Sequence, residues 1–411
     1  MPKKTVMQID VAGKRVLTRV DFNVPIESGK ITDDRRIRMA IPTIKSIVDR
    51  GGRAILMSHL GRPEGKGYEA SESLRPCAER LSQLLGKPVA FPSNDCTDDA
   101  AAKGVAAMKN GDVLLLDNLR FAKGEKKSDA AFAGRLAALG DVYVNDAFGT
   151  AHREDASMYA VPMAMAGKPR VVGLLMEKEL KYLSAALAHP ARPYVVVLGG
   201  AKVSDKLPLI HHMLASGKVD EILIGGAMAY TFCAANGWKV GDSRVENEMI
   251  DEAKKILNEA MRLECNLVLP QDHVCNTVFA HDSGDIKTFD GEVIGGSRAG
   301  IPDGYMGLDI GPRTQTDYAN RLRRAKTIVW NGPMGVFEWK PFEVGTLEVA
   351  EAIVEATRHG ATSIVGGGDS AAAAEQFGLA EKFSHVSTGG GASLEMLSGK
   401  PFKTVEILDE A

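Results

Sequence analysis

Cysteine is scarce in this chain. Five thiols (Cys77, Cys96, Cys233, Cys265, Cys275) are scattered over 411 residues, odd in number and without a Cys-x-x-Cys pair. That argues against a disulfide framework or a zinc site and fits a reducing compartment. Net charge is scarce too: 50 basic against 53 acidic side chains leave −3. No global field points to nucleic acid or an anionic membrane, so any anion site must be local. No run approaches the roughly 18 apolar residues of a membrane span. Residues 1–5 lack an apolar signal core, and 407–411 carry no retention or peroxisomal tag; a cytoplasmic protein is expected. Two phosphate-binding signatures are also missing. The absence of Gly-x-x-x-x-Gly-Lys-[Ser/Thr] removes the P-loop, and the absence of Gly-x-Gly-x-x-Gly argues against a dinucleotide dehydrogenase.

What is present is a soluble-type mix, 45% hydrophobic and 25% charged, long enough for two or three domains. Short apolar runs alternate with amphipathic stretches. Strands are expected at 15–20, 53–58, 113–117, 142–145, 194–198, 221–225, 266–270, 327–330 and 363–366. Most are continuous rather than alternating, as when both faces of a parallel sheet are covered. Between them lie helix-period segments such as Ile37, Ile41, Ile44 and Val48, behind the cap signal Thr32-Asp33-Asp34. The pattern predicts an α/β fold with mainly parallel sheets covered by helices. The expected domain boundary is the helix near 174–187, after Gly167-Lys168-Pro169 and before Pro190 and Pro193. Its alternative is an ordinary crossover helix.

In the N-terminal half, cations recur where strands end. Ser58-His59-Leu60-Gly61-Arg62-Pro63 follows one apolar run, Asn118-Leu119-Arg120 another, and Asn145 to Arg153 a third. Arg35, Arg36 and Arg38 open a helix, where a cation opposes the helix dipole unless an anion binds. Asp21 and Asn23 alternate after the first strand and can hold a hydroxyl. Ligands of α/β proteins gather at strand C-termini, and Arg holds phosphate or carboxylate in paired hydrogen bonds. Four such segments brought side by side would bind a small polyanion. Metal binding by His59 or His152 is disfavoured, because no second His stands at ligand spacing.

The C-terminal half repeats strand, glycines, helix. Gly199-Gly200 precede Lys202, Ser204 and Lys206; Gly225-Gly226, Gly366-Gly367-Gly368 and Gly389-Gly390-Gly391 follow the same theme. Ser204 reads as a helix N-cap, which puts Lys206 in the first turn. Consecutive glycines either fit tight turns or let backbone N–H groups approach an anion. Asp369, just after a triple Gly at a helix start, is the best candidate to hold Mg²⁺, an ion that takes one or two carboxylates plus substrate phosphates. Glu338, after Asn331-Gly332-Pro333, is a ribose acceptor or a plain exposed loop acid.

RVDFNVP at 19–25, SHLGRP at 58–63, NLRF at 118–121, AFGTAHR at 147–153, LGGAKVSDK at 198–206, NGPMGVFE at 331–338, GGGDS at 366–370 and STGGGAS at 387–393 resemble the phosphoglycerate kinase family, in that family's order and over nearly the whole chain. The resemblance implies two Rossmann-like domains facing a cleft with a hinge. They would be 1–173 for 3-phosphoglycerate or 1,3-bisphosphoglycerate, a hinge helix 174–189, 190–391 for ATP or ADP with Mg²⁺, and a returning segment 392–411. It implies reversible, Mg-dependent phosphoryl transfer between 1,3-bisphosphoglycerate and ADP by a monomer, with no nucleic acid or membrane partner. Carried over by position, Asp21, Asn23, Arg36, His59, Leu60, Gly61, Arg62, Arg120 and Arg153 would bind the glycerate substrate. Lys206, Gly225, Gly226, Gly307, Asn331, Glu338, Gly367, Gly368, Asp369 and Ser370 would bind the nucleotide, with Asp369 on the metal. Arg36, Lys202, Lys206, Gly389, Gly390 and Gly391 would act on the moving phosphoryl. Thr18, Ala122-Lys123 and Thr314-Gln315-Thr316 depart from the family's usual residues without touching these positions.

Overall fold

A computed structural model of the chain describes residues 2–291 and 300–411. The chain forms two compact units, one up to Lys181 together with Pro401–Ala411, the other Tyr182–Lys400. It passes from one to the other within a single helix.

The first unit is built on six strands: β1 (Arg15–Arg19), β2 (Arg53–Met57), β3 (Val89–Ala90), β4 (Val113–Leu115), β5 (Val142–Asn145) and β6 (Arg170–Val172). Their order is β3-β4-β2-β1-β5-β6 and every pair is parallel. Residues 16–19 and 54–57 are buried throughout, which is why β2 reads as an unbroken apolar run over 54–57. Helix α1 (Arg35–Val48) lays Ile37, Ile44, Ile47 and Val48 on the core. The chain fills one side of β1 and then crosses to the other, so its topological switch lies between β1 and β5, where parallel sheets bind ligands. The terminal segment docks here as well: Asp409 N–H donates to Arg170 O and Lys4 N–H to Asp409 O, both 2.8 Å. This return begins at Pro401. The expected return from 392 is too long, because 392–400 belongs to the second unit.

Helix α2 (Leu174–Ala188) carries the chain across. Its first N–H groups are satisfied from outside the helix: Leu174 N–H donates to Thr43 Oγ1 (2.8 Å), and Leu175 and Met176 to Asp146 Oδ1 (3.0 and 3.2 Å).

The second unit carries β7 (Tyr194–Leu198), β8 (Glu221–Ile224), β9 (Asn266–Val268), β10 (Asp272–Asn276), β11 (Lys287–Asp290), β12 (Met306–Ile310), β13 (Thr327–Asn331), β14 (Thr362–Gly366) and β15 (His385–Val386). The main sheet, β9-β8-β7-β13-β14-β15, is again parallel, with its switch between β7 and β13. A separate antiparallel sheet, β11-β10-β12, is an addition to the expected fold. Trp330, Tyr318, Ile353 and Val365 share a core to which α4 (Val344–Arg358) and α5 (Gly368–Gln376) contribute; α3 (Leu207–Ser216) and α6 (Gly391–Leu397) belong to the same unit. No helix among the described residues is long and apolar enough to cross a membrane.

Candidate active site

In the first unit the predicted cations do converge, because β4, β2, β1 and β5 are neighbours and each ends in one of the marked segments. Asp21, just past β1, is buried and sits 3.4 Å from Arg36 Nη1. The same Arg36 nitrogen donates to Asn23 O at 2.8 Å. Of the three arginines opening α1, Arg36 is placed here by its contacts, whereas Arg38 pairs with Asp34 at 2.7 Å.

The segment after β2 is held rigidly by its neighbours. Asn118 clamps Leu60 like a strand partner, accepting from its N–H (3.2 Å) and donating to its carbonyl (2.7 Å). Gly61, at φ 60°, donates its N–H to Asn23 Oδ1 (2.9 Å) and accepts from Arg120 Nη1 (2.5 Å). A Cβ at Gly61 would strike the Glu72 carboxylate at 1.7 Å. Leu60 and Gly61 therefore serve the scaffold that aims His59 and Arg62. Arg62 is exposed and makes no ion pair among the described residues. The Nε atoms of Arg120 and Arg153 are buried with no partner among those residues, as expected of donors awaiting an anion. His59 is buried, and that burial, followed by the charges of Arg19, Arg120, Arg153 and Arg36, pushes its pKa well below the usual imidazole value.

In the second unit the glycines divide into two kinds. Gly199 N–H donates to Asn331 O (3.0 Å), Gly200 to Pro333 O (3.1 Å), Gly225 to Leu198 O (2.8 Å) and Gly226 to Met334 O (2.9 Å). A Cβ on Gly226, at φ 64°, would lie 2.4 Å from Gly200 N. These glycines let three loops interlock, and their N–H groups are spent inside the protein. Those N–H groups are therefore not free to donate to a phosphate. Gly307, on β12, likewise donates to Ser243 Oγ (2.9 Å), and a Cβ there would meet Tyr230 Oη at 2.0 Å.

The other kind opens helices. Gly367 (φ 92°) precedes α5, and Gly390 (φ 48°) precedes α6. The N–H groups of Gly368, Asp369, Gly390 and Gly391 donate to nothing among the described residues. The α5 pair are first-turn donors of a nine-residue helix, the standard main-chain anion site. Gly389 differs, since its N–H donates to Ser387 Oγ at 3.0 Å. Ser370 Oγ accepts from Gly332 N–H at 2.6 Å, which locks the loop after β13 to α5. Asp369 is exposed in that first turn.

Lys206 is the N-cap of α3, and its ammonium donates to the Asn331 side-chain oxygen across the β7/β13 switch. Burial lowers its pKa, while Asp369 and Asp205 oppose that shift. The cap assigned to Ser204 is corrected: its hydroxyl donates to Glu246 Oε1 (2.6 Å), and α3 starts at Leu207. Asn331 Nδ2 is buried without a partner, close to where a Gly367 Cβ would stand (3.1 Å). Lys202 and Glu338 are exposed. No cluster of three or more His, Cys, Asp or Glu suited to a metal occurs among the described residues, so a metal here would have to share its ligands with phosphate.

Sequence reasoning gave no site role to three buried polar groups. Arg19, Glu125 and Ser157 form a chain of contacts beneath His59. Their partners lie up to 138 residues apart, so no local pattern announces them.

Comparison with known proteins is consistent across sequence and structure. The family described as phosphoglycerate kinase matches residues 6–400. The phosphoglycerate kinase of Rhodopirellula baltica is 55% identical over 412 aligned residues, covering all of both chains. A cytosolic phosphoglycerate kinase of Trypanosoma congolense is 48% identical over 99% of this chain and 98% of its own. The solved structure of phosphoglycerate kinase from Coxiella burnetii aligns with a TM-score of 0.86 at 38% identity, covering 99% of this chain and 98% of that one.

Proposed function

We infer, since the chain belongs to the phosphoglycerate kinase family, that its two units divide the substrates of that reaction between them. The enzyme is a phosphotransferase with a carboxyl acceptor, moving a phosphoryl group between 1,3-bisphosphoglycerate and ADP to give 3-phosphoglycerate and ATP. The glycerate substrate belongs to the first unit, and the observation that carries this is the gathering of Arg36, Arg120 and Arg153 around the buried His59 at the ends of neighbouring strands, with Arg62 three residues beyond His59. Asp21 and Asn23 hold the hydroxyl. The nucleotide belongs to the second unit, with its phosphates at the open N–H groups of α5, Asn331 Nδ2 and Lys206, and its ribose at Glu338.

The acceptor is a carboxylate, already an anion, so the reaction needs no general base. The residues accordingly supply charge and position rather than proton transfer. Lys206, Lys202 and Arg36 neutralise the moving phosphoryl, with Gly390 and Gly391 offering main-chain donors. Mg²⁺ fits the donor set: Asp369 gives one exposed carboxylate beside phosphate-facing N–H groups, and the bound ion supplies neutralisation of the nucleotide phosphates. A cytoplasmic, monomeric enzyme is the form proposed.

The test is a coupled assay with ATP, Mg²⁺ and 3-phosphoglycerate, reading 1,3-bisphosphoglycerate through a dehydrogenase and NADH. Turnover abolished by EDTA and restored by Mg²⁺ is expected. Folded protein without turnover, or turnover indifferent to EDTA, would overturn the reading.

A further inference from the structure

Arg19 ends β1 and is fully buried. Its guanidinium nevertheless reaches three segments. Nε donates to Ser157 Oγ at 2.9 Å, a terminal N–H donates to Val20 O, and Nη2 lies 3.1 Å from His59 Nδ1. A guanidinium has donors only. Nδ1 of His59 must therefore accept with its lone pair, which leaves the ring proton on Nε2 and the imidazole neutral. The charged groups facing the ring favour the same state: Arg36 from α1, Arg120 after β4, Arg153 after β5 and Arg19 itself oppose a second proton. Asp21 Oδ1, 3.8 Å from Nδ1, is farther than Arg19 and beyond hydrogen-bond reach.

The charge of Arg19 is answered at one remove. Ser157 Oγ donates to Glu125 Oε1 (2.5 Å) and Ser157 N–H to Glu125 Oε2 (3.0 Å). Glu125 is fully buried. Burial at this depth holds side chains in single rotamers, so the guanidinium is fixed in direction. His59 Nε2 makes no hydrogen bond among the described residues.

We propose that Arg19 is a positioning residue for the phosphoglycerate site: by occupying His59 Nδ1 it fixes the neutral Nε2–H tautomer, so His59 offers the substrate one directed donor rather than another positive charge. This rests on placing the glycerate substrate in the first unit. The tautomer is read without substrate, so its failure is separable from the failure of that placement.

The experiment is NMR of the full chain labelled with 15N-histidine, with the His59 signals assigned by their loss in His59→Gln. His59 is expected to show a protonated Nε2, a bare Nδ1 and no titration where a free imidazole titrates. In Arg19→Leu/Glu125→Gln, which removes both buried charges together, the ring is expected to sample both tautomers and to titrate. The KM for 3-phosphoglycerate should rise about tenfold, the size of one hydrogen bond to a charged group, with the KM for ATP unchanged. An Nδ1–H or doubly protonated His59 in the unaltered chain overturns the proposal, and so does a folded double variant that keeps both tautomer and KM. Should the double variant fail to fold, the spectrum of the unaltered chain decides alone.

Discussion

On the proposed reading, the two units solve one problem, holding a phosphorylated metabolite at the edge of a parallel sheet, with opposite materials. The first uses side chains: Arg36 and Arg120 are set by hydrogen bonds before any ligand arrives, and Arg153 is half-buried beside them with its Nε unpartnered among the described residues. The second uses main chain, in the open N–H groups at the start of α5 and α6, with Lys206 and Asn331 beside them. The difference teaches what each ligand demands. A small anion with few atoms needs charge delivered from several directions, which long Arg side chains provide. A nucleotide phosphate chain lies along a surface, where backbone donors can approach closely only if side chains are missing.

The sharpest break in this comparison comes from the cations. Arg36→Ala and Lys206→Met are each expected to lower kcat by about 10²-fold or more, the scale of removing one transition-state donor, with melting temperature little changed. A kcat within twofold of the parent would remove that residue from the mechanism.

Next in size is the distinction between the two kinds of glycine. Gly226→Ala places a Cβ 2.4 Å from Gly200 N in a left-handed conformation. It should cost about 2–4 kcal/mol in denaturant unfolding. Gly391→Ala has nothing within 4 Å of its Cβ and an ordinary φ, so its cost should stay within about 0.5 kcal/mol. Equal costs at the two positions would erase the division between interlocking glycines and those with open N–H groups.

A third prediction concerns the start of α2. Asp146 is fully buried, and burial raises its pKa to about 7, against the lowering by hydrogen bonds from Thr43, Met176 and Leu175. One of its oxygens has no partner among the described residues. Between the ordinary carboxylate pKa and about 7 the unfolded chain loses this proton while the folded chain keeps it, so native stability falls as pH rises through that window. Below it both states are protonated, and above it both are ionised. Asp146→Asn cannot titrate, so relative to the parent it should gain at least about 1 kcal/mol between pH 4.5 and 7.5, or roughly 2–4 °C in melting temperature. A pH-independent difference would place the Asp146 pKa near its ordinary value.

Much of this was legible in the chain. The parallel strands announced themselves because burial on both faces forces unbroken apolar runs, as in Val195-Val196-Val197-Leu198. The converging arginines were legible because parallel neighbours bring their ends together. The antiparallel β11-β10-β12 sheet escaped because it mixes His273, Asn276 and Lys287 with apolar residues in short runs. β3 and β6 are too short to signal. Glycine roles escaped for a different reason: sequence shows that Gly225 and Gly391 lack side chains but not where their N–H groups point. The Glu125–Ser157–Arg19–His59 chain and the Asp146 cap are tertiary contacts between distant segments, fixed only once the sheet has formed.

Whether each unit takes one ligand is decided by calorimetric titration of 3-phosphoglycerate and, separately, Mg-ADP into the parent chain, Arg36→Ala and Asp369→Ala. Arg36→Ala is expected to weaken 3-phosphoglycerate about tenfold or more and leave Mg-ADP unchanged, and Asp369→Ala to do the reverse. Arg36→Ala weakening Mg-ADP as much as 3-phosphoglycerate would contradict that division.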